Sequence, residues 1–134
     1  MDQGSFRVLS LCAGGGGLDR GIRLAVPAAR VVCWVEWEAS AVGVLAARMA
    51  DGSLDSAPVW SDLRTFDGLP WRGKVDLVTA GFPCQPFSVA GKQRGTDAPR
   101  HLWPHVRRVI EECAPSIGFL ENVPGLLNVH TPDG

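Results

Sequence analysis

Cys84 stands between two prolines in the run Gly-Phe-Pro-Cys-Gln-Pro-Phe-Ser at residues 81–88. Pro83 and Pro86 each fix their own backbone φ, so the loop that carries the thiol is stiff. A stiff, exposed thiol suits a nucleophile, whereas a cysteine met alone is more often a small buried hydrophobe. That second reading is the better one for Cys12, Cys33 and Cys113, which are widely spaced and lack the close pairing of zinc or dithiol motifs. Other chemistries at Cys84 fit poorly. A zinc deaminase needs a second cysteine where Phe87 stands and a His-x-Glu triplet that the sequence lacks. A cysteine phosphatase needs arginine where Ala90 stands, and a redox protein needs a resolving cysteine close by.

A second set of residues points to a bound ligand. The run Ala-Gly-Gly-Gly-Gly-Leu at residues 13–18 lets a backbone approach a ligand closely and presents free helix N–H groups. Read from Gly14, the dinucleotide pattern finds Asp19 in place of its third glycine; read from Gly15 it finds Arg20; the phosphate-loop pattern finds Ile22 in place of lysine. Neither a nicotinamide enzyme nor an ATPase is favoured. Glu36 ends a strand-like run, where an acid accepts hydrogen bonds from ribose hydroxyls. Trp37 offers a face to adenine, and Asp62 an acceptor for an adenine amino group. Each acid taken alone reads better as a helix cap or surface charge, and Trp37 as a core aromatic. Together they point to an adenosyl ligand that needs no polyphosphate.

Hydrophobic periodicity supplies the elements that position these groups. Residues 8–11 read as a strand, followed by the glycine turn and a helix with Leu18, Ile22 and Ala25 at helical spacing. Residues 31–37 read as a second strand, and residues 39–49 as a helix with Val42, Leu45, Ala46 and Met49 on one face. A short third strand is expected around Val59 and Trp60, and a fourth at residues 75–80. The long loop at 81–99 is of the kind that carries function. A helix from Leu102 follows, with Val106, Val109, Ile110 and Cys113 in phase, Pro104 tolerated in its first turn and Pro115 ending it. Residues 117–120 form the fifth strand. Alternating strands and helices predict an α/β fold with a parallel sheet and helices on both faces. Ligands in such sheets lie beyond the carboxyl ends of the strands, where each of these motifs falls.

The chain has 134 residues, 46% hydrophobic and 20% charged, which suits one globular domain. The longest apolar run is too short to span a bilayer and the start resembles no secretory leader, so a soluble cytoplasmic protein without a membrane partner is expected. A net charge of −1 argues weakly against nucleic acid. Residues 88–110 soften this, with Lys92, Arg94, Arg100, Arg107 and Arg108 against Asp97 alone. A solvated loop and helix face explains that excess equally well.

Taken together, these motifs resemble those of the DNA (cytosine-5) methyltransferases. Residues 81–88 look like the family's proline-cysteine motif, residues 13–18 resemble its glycine motif, and Glu121-Asn122-Val123 match its Glu-Asn-Val motif, in the same order and strand context. The resemblance covers nearly the whole chain and implies a Rossmann-like, S-adenosylmethionine-dependent methyltransferase fold, truncated after about five parallel strands. It implies that Cys84 attacks carbon 6 of a cytosine flipped out of double-stranded DNA, while Glu121 holds the base at N3 and its amino group. It further implies that Ala13, Gly14, Gly16, Gly17, Leu18, Glu36, Trp37, Asp62, Leu63 and Pro83 bind S-adenosyl-L-methionine. Lys92, Gln93 and Arg94 fall in a stretch similar to the family's mobile DNA-facing loop.

Two residues depart from the pattern: Cys12 replaces a frequent phenylalanine and Gly15 a bulkier residue. The family's target-recognition region is not found in residues 1–134, which are expected to form the N-terminal part of the catalytic domain. Residues 117–120 are apolar on both faces, so self-association or a complementing C-terminal chain is expected to cover them. The competing expectation is a catalytically silent module that binds S-adenosylmethionine or a protein.

Overall fold

The computed structural model describes residues 4–81 and 102–121. Five strands, β1 (Phe6–Leu11), β2 (Ala29–Val35), β3 (Val59–Trp60), β4 (Leu77–Ala80) and β5 (Ile117–Leu120), pair in parallel in the order β3-β2-β1-β4-β5. Helices α1 (Gly17–Ala25), α2 (Ala39–Ala50) and α3 (Trp103–Cys113) connect them, with single 3-10 turns at Leu63–Thr65 and Leu69–Trp71. β2 starts and stops two residues before the expected strand, and β4 is shorter than expected at its N-terminal end. Where β1 meets β2, Val8 pairs with Val31 and Leu9 with Cys33, so Val32 is an extra residue that shifts the register.

Alternation along the strands divides the core between the two faces. One face gathers Leu9, Leu11, Val35, Val78 and Ala80 beneath Val106, Val109 and Cys113 of α3. The other gathers Val8, Val31, Trp34 and Leu77 beneath Leu45 of α2, with Ile22 of α1 packed against them. Each such large side chain contributes about 1.5–3 kcal/mol on burial. Helices therefore cover both faces, as expected. Two side chains do not sit where periodicity put them: Ala25 and Ala46 are exposed. Cys33 and Cys113 are buried, as expected of small hydrophobes.

The helix boundaries have local causes. Pro27 cannot continue α1, whose last turn closes with the Val26 N–H donating to the Ile22 carbonyl at 2.7 Å. α3 begins with Pro104 in its first turn and ends at Ala114, which takes a left-handed conformation (φ 47°) just before Pro115.

The one buried residue of α1 is an acid, which periodicity alone did not anticipate. Asp19 accepts hydrogen bonds of 2.7 Å from the hydroxyls of Ser10 on β1 and Thr79 on β4, and so ties the helix to the two central strands. Burial raises its pKa above the ordinary carboxylate value, against the opposing pull of the two hydroxyls and a backbone N–H. Replacing Asp19 with alanine leaves both hydroxyls without this acceptor, with an expected loss of about 1–3 kcal/mol in urea unfolding. The folded state holds the Asp19 proton more tightly than the unfolded chain. Its contribution to stability therefore grows as pH falls from the raised folded value toward the unfolded one. Asp19→Asn should remove that part of the pH dependence.

β5 closes one side of the described sheet. Its side chains are exposed throughout, with Ile117 at 52%, Phe119 at 46% and Leu120 at 42%.

Candidate functional site

The strand order places a reversal between β1 and β4, since the chain runs outward from β1 to β3 on one side and from β4 to β5 on the other. A crevice opens beyond the carboxyl ends at such a point. The hydrogen-bond ladders run on past the strands and set the residues around it. The Ala13 N–H donates to the Val35 carbonyl at 3.2 Å, that of Glu36 to Trp60 at 2.9 Å, and that of Glu121 to Ala80 at 2.9 Å.

A pocket of about 130 Å³ lies there. Apolar Val35, Leu63 and Leu102 line it together with Glu36, Trp37, Glu38, Asp62 and Arg64, and the turn residues Cys12, Gly14 and Gly81 complete the lining. Of the expected cofactor residues, Gly14, Glu36, Trp37, Asp62 and Leu63 meet in this pocket, whereas Ala13, Gly16, Gly17 and Leu18 do not line it. Ala13 packs into the core beside α2, and Gly16 is buried as the left-handed cap of α1. Pro83, Cys84, Lys92, Gln93 and Arg94 lie outside the described residues.

The glycine turn is wound through positive φ: Cys12 at 50°, Gly14 at 57° and Gly16 at 78°. A non-glycine residue in that region is uncommon and strained, and Cys12 is one that lines the pocket. Cys12 thus departs from the buried-hydrophobe expectation; it is half-buried and faces the pocket. Its thiol is nonetheless held in the protonated form. Burial, with the nearby Glu36 charge, pushes its pKa up to about 12, and burial pushes Cys33 and Cys113 up to about 11. None of the three described thiols is activated for nucleophilic attack.

Glu36 is 9% exposed, and one of its carboxylate oxygens accepts from the Trp37 N–H at 3.2 Å. Burial raises its pKa, assisted by the charge of Glu38 and opposed by the N–H groups of Trp37 and Gly14. A ligand that donates hydroxyl hydrogens to ionised Glu36 should bind with constant affinity above this raised value. Below it, affinity should weaken by up to about tenfold per pH unit. Measuring S-adenosylmethionine affinity against pH checks this, and Glu36→Gln should flatten the profile.

Asp62 caps the 3-10 turn Leu63–Thr65 by accepting from the Arg64 N–H at 2.9 Å. The turn is anchored from α3, where Arg108 donates to the Leu63 carbonyl at 3.0 Å and the Phe66 carbonyl at 2.8 Å while pairing with Glu112. Arg107 likewise pairs with Glu111. Two of the five basic residues counted toward a phosphate-facing surface therefore hold partners within the chain. A count that stopped at residue 110 missed their acids one turn further on.

Glu121 follows β5 and is exposed, yet its carboxylate reaches back over the end of β4. A Cβ placed on Gly81 would stand 3.7 Å from the Glu121 Oε2 and 3.9 Å from the Cys12 carbonyl. The start of the proline-cysteine segment, the Glu121 acid and the glycine turn are thus immediate neighbours. Sequence reasoning did not single out Arg64, Glu38 or Leu102 as pocket residues, because nothing in local periodicity separates them from ordinary surface positions.

A parallel sheet in this order, with a pocket at the reversal and an acid at the end of each of β2 and β5, defines an α/β protein of the Rossmann-like methyltransferase class. The chain belongs to the C-5 cytosine-specific DNA methylase family, whose model matches residues 6–132. It is 39% identical over 123 residues to the Type II methyltransferase M.NgoMIV of Neisseria gonorrhoeae, an alignment covering 92% of this chain and 37% of that protein. It is 35% identical over 131 residues to the Type II methyltransferase M.CviJI of Paramecium bursaria Chlorella virus IL3A, covering 96% and 33% respectively. The chain thus spans about a third of the length of these relatives. The fold matches a crystal structure of a mutant Spodoptera frugiperda DNMT2 with a TM-score of 0.64 at 20% identity, over 92% of this chain and 37% of that one.

Proposed function

We propose that this chain forms the part of a DNA (cytosine-5) methyltransferase that binds S-adenosylmethionine and carries the cysteine nucleophile, with a cytosine flipped out of double-stranded DNA as its substrate. The observation that carries this reading is the meeting of Gly14, Glu36 and Asp62 around one pocket, with the Glu121 carboxylate beside Gly81, three residues before Cys84. The donor set fits the cofactor. Apolar side chains from Val35, Leu63 and Leu102 suit contact with adenine, and the Glu36 and Asp62 carboxylates suit ribose hydroxyls and an exocyclic amine. Bound S-adenosylmethionine would supply an electrophilic methyl group.

The chain's own residues do the rest. Cys84, as a thiolate, forms a bond from sulfur to carbon 6 of cytosine, and the displaced ring electrons make carbon 5 nucleophilic. Glu121 carries a proton toward N3 and accepts from the amino group, offsetting the charge that builds on the ring. Once carbon 5 bears the methyl group and has lost its proton to a base, the Cys84 sulfur leaves and the ring is restored. Ala13, Gly16, Gly17 and Leu18 shape the turn that holds the cofactor, with Pro83 beside it, and Lys92, Gln93 and Arg94 meet the DNA. Burial holds the thiols of Cys12, Cys33 and Cys113 in the protonated form, which supports giving the nucleophile's role to Cys84.

The exposed apolar strand β5 supports completion of the sheet by further polypeptide, in the same chain, a complementing one or a second copy. Such an enzyme works with DNA in the cytoplasm; among the described residues no helix is long and apolar enough to cross a membrane.

The test is covalent trapping. With 5-fluorocytosine in DNA, carbon 5 has no proton to lose after methylation, so the Cys84 adduct persists. The chain, alone and mixed with the C-terminal part of a full-length relative, is incubated with such DNA and S-adenosylmethionine and resolved by denaturing electrophoresis. A cofactor-dependent adduct in the mixture is expected. Its absence under both conditions, with the chain folded, would leave the silent binding module as the better reading.

A further inference from the structure

The pocket contains a cation that the proposed reaction does not use. Arg64 donates to both oxygens of Asp62, from Nε to Oδ1 at 3.0 Å and from Nη2 to Oδ2 at 3.0 Å. Its guanidinium also lies 5.8 Å from the centre of the Trp37 ring, within the range of a cation–π contact. One side chain therefore holds two pocket residues that come from different elements, Trp37 from the end of β2 and Asp62 from the turn after β3. The turn beneath is itself fixed, because the Trp60 Nε1 donates to the Asp62 carbonyl at 3.0 Å and to the Thr65 hydroxyl at 3.1 Å.

We propose that Arg64 is a positioning residue that makes the pocket selective for adenine, by aiming Asp62 as a fixed acceptor and holding Trp37 as a fixed wall. The inference rests on reading this pocket as an adenosyl site. Trp37 is 53% exposed and the Asp62 side chain 28%, so without the Arg64 side chain Trp37 would lose its partner in solvent and Asp62 would keep only the cap bond from the Arg64 N–H to Oδ1, with Oδ2 no longer held until ligand bound. A carboxylate has about four acceptor positions. The fork from Arg64 takes one on Oδ2, which leaves that oxygen a lone pair for an exocyclic N–H. Asp62 is a carboxylate at neutral pH with or without this contact, and the Arg64 hydrogen bond lowers its pKa further below the ordinary value. An ionised carboxylate only accepts. It therefore rewards the amino group of adenine and repels the carbonyl oxygen that hypoxanthine presents in its place.

The experiment uses the purified chain and two probes, S-adenosylhomocysteine and S-inosylhomocysteine, whose bases differ at position 6, an amino group in one and a carbonyl in the other, and at N1, an acceptor in adenine and an N–H in hypoxanthine. In the wild type the adenine compound should bind more tightly. Arg64→Ala should weaken it about five- to tenfold while leaving the inosine compound nearly unchanged, so that the ratio between the two collapses. Arg64→Lys, which has neither the planar fork nor the stacking face, should restore less than half of the loss. Asp62→Ala introduced into Arg64→Ala should add little. Unfolding midpoints read alongside exclude a fold defect as the cause. An unchanged ratio in Arg64→Ala would overturn the proposal, and tighter binding would show Arg64 to be an occluding group instead. Failure of the wild type to bind either probe would overturn the adenosyl reading itself.

Discussion

Replacing Cys84 with serine is expected to abolish covalent capture of DNA carrying 5-fluorocytosine and to lower methyl transfer by a factor on the order of 10³ or more. The change is nearly isosteric, so its effect is chemical. A thiolate is accessible near neutral pH and is intrinsically a strong nucleophile toward carbon, whereas a serine hydroxyl stays protonated unless an adjacent base removes its proton. Two prolines bracket the position, which limits any rearrangement by which a neighbouring group might substitute. S-adenosylmethionine binding should be unaffected, because the pocket's described lining comes from other elements. Equal trapping by the serine variant would remove Cys84 from the mechanism and leave the cofactor assignment standing.

Gly16→Val is expected to destabilise the fold by about 2–4 kcal/mol, a large part of the roughly 5–15 kcal/mol typical of a domain. Gly16 is buried at φ 78°, a conformation that costs a side-chain-bearing residue about 1–2 kcal/mol and a β-branched one more. There is also no room. A Cβ there would lie 2.6 Å from the Leu54 Cδ1 and 3.3 Å from the Leu45 Cδ2, and both leucines are core residues. Since Gly16 caps α1, a displaced turn would also carry Gly14 away from Glu36. Urea unfolding measures the loss, and fluorescence titration with S-adenosylmethionine the accompanying fall in affinity. Gly21→Ala is the internal control: it lies within α1 with open space around it, and should raise stability by about 0.5–1 kcal/mol. If the valine variant unfolded at the wild-type denaturant concentration, the account of this turn would be wrong.

Much of the architecture was legible from periodicity because strands and helices declare themselves locally. The run before Cys12, the alternation of α and β, and the phase of Val106, Val109 and Cys113 all follow from which residues must face a core. The acids at the strand ends were legible only as a set, since each alone reads as a helix cap or surface charge and Asp62 does cap the turn after β3. Exposed positions such as Ala25 and Ala46 were misplaced because a helix face buries only as much as its neighbours cover.

The sequence by itself determined the order of elements, the glycine turn and the likeness to cytosine-5 methyltransferases, all of which are written in residues near one another along the chain, whereas the stiffness expected of the two prolines around Cys84 falls outside the described residues. Only the tertiary structure decided which acids are partnered and by what. Asp19 became a buried tie between Ser10 and Thr79, Arg108 an anchor for the turn at Leu63, and Arg64 the link between Asp62 and Trp37. The reason is physical: a hydrogen bond or ion pair depends on distance in space, and the strand order that brings residue 10 to residue 79, or 37 to 64, is set by packing of the whole sheet.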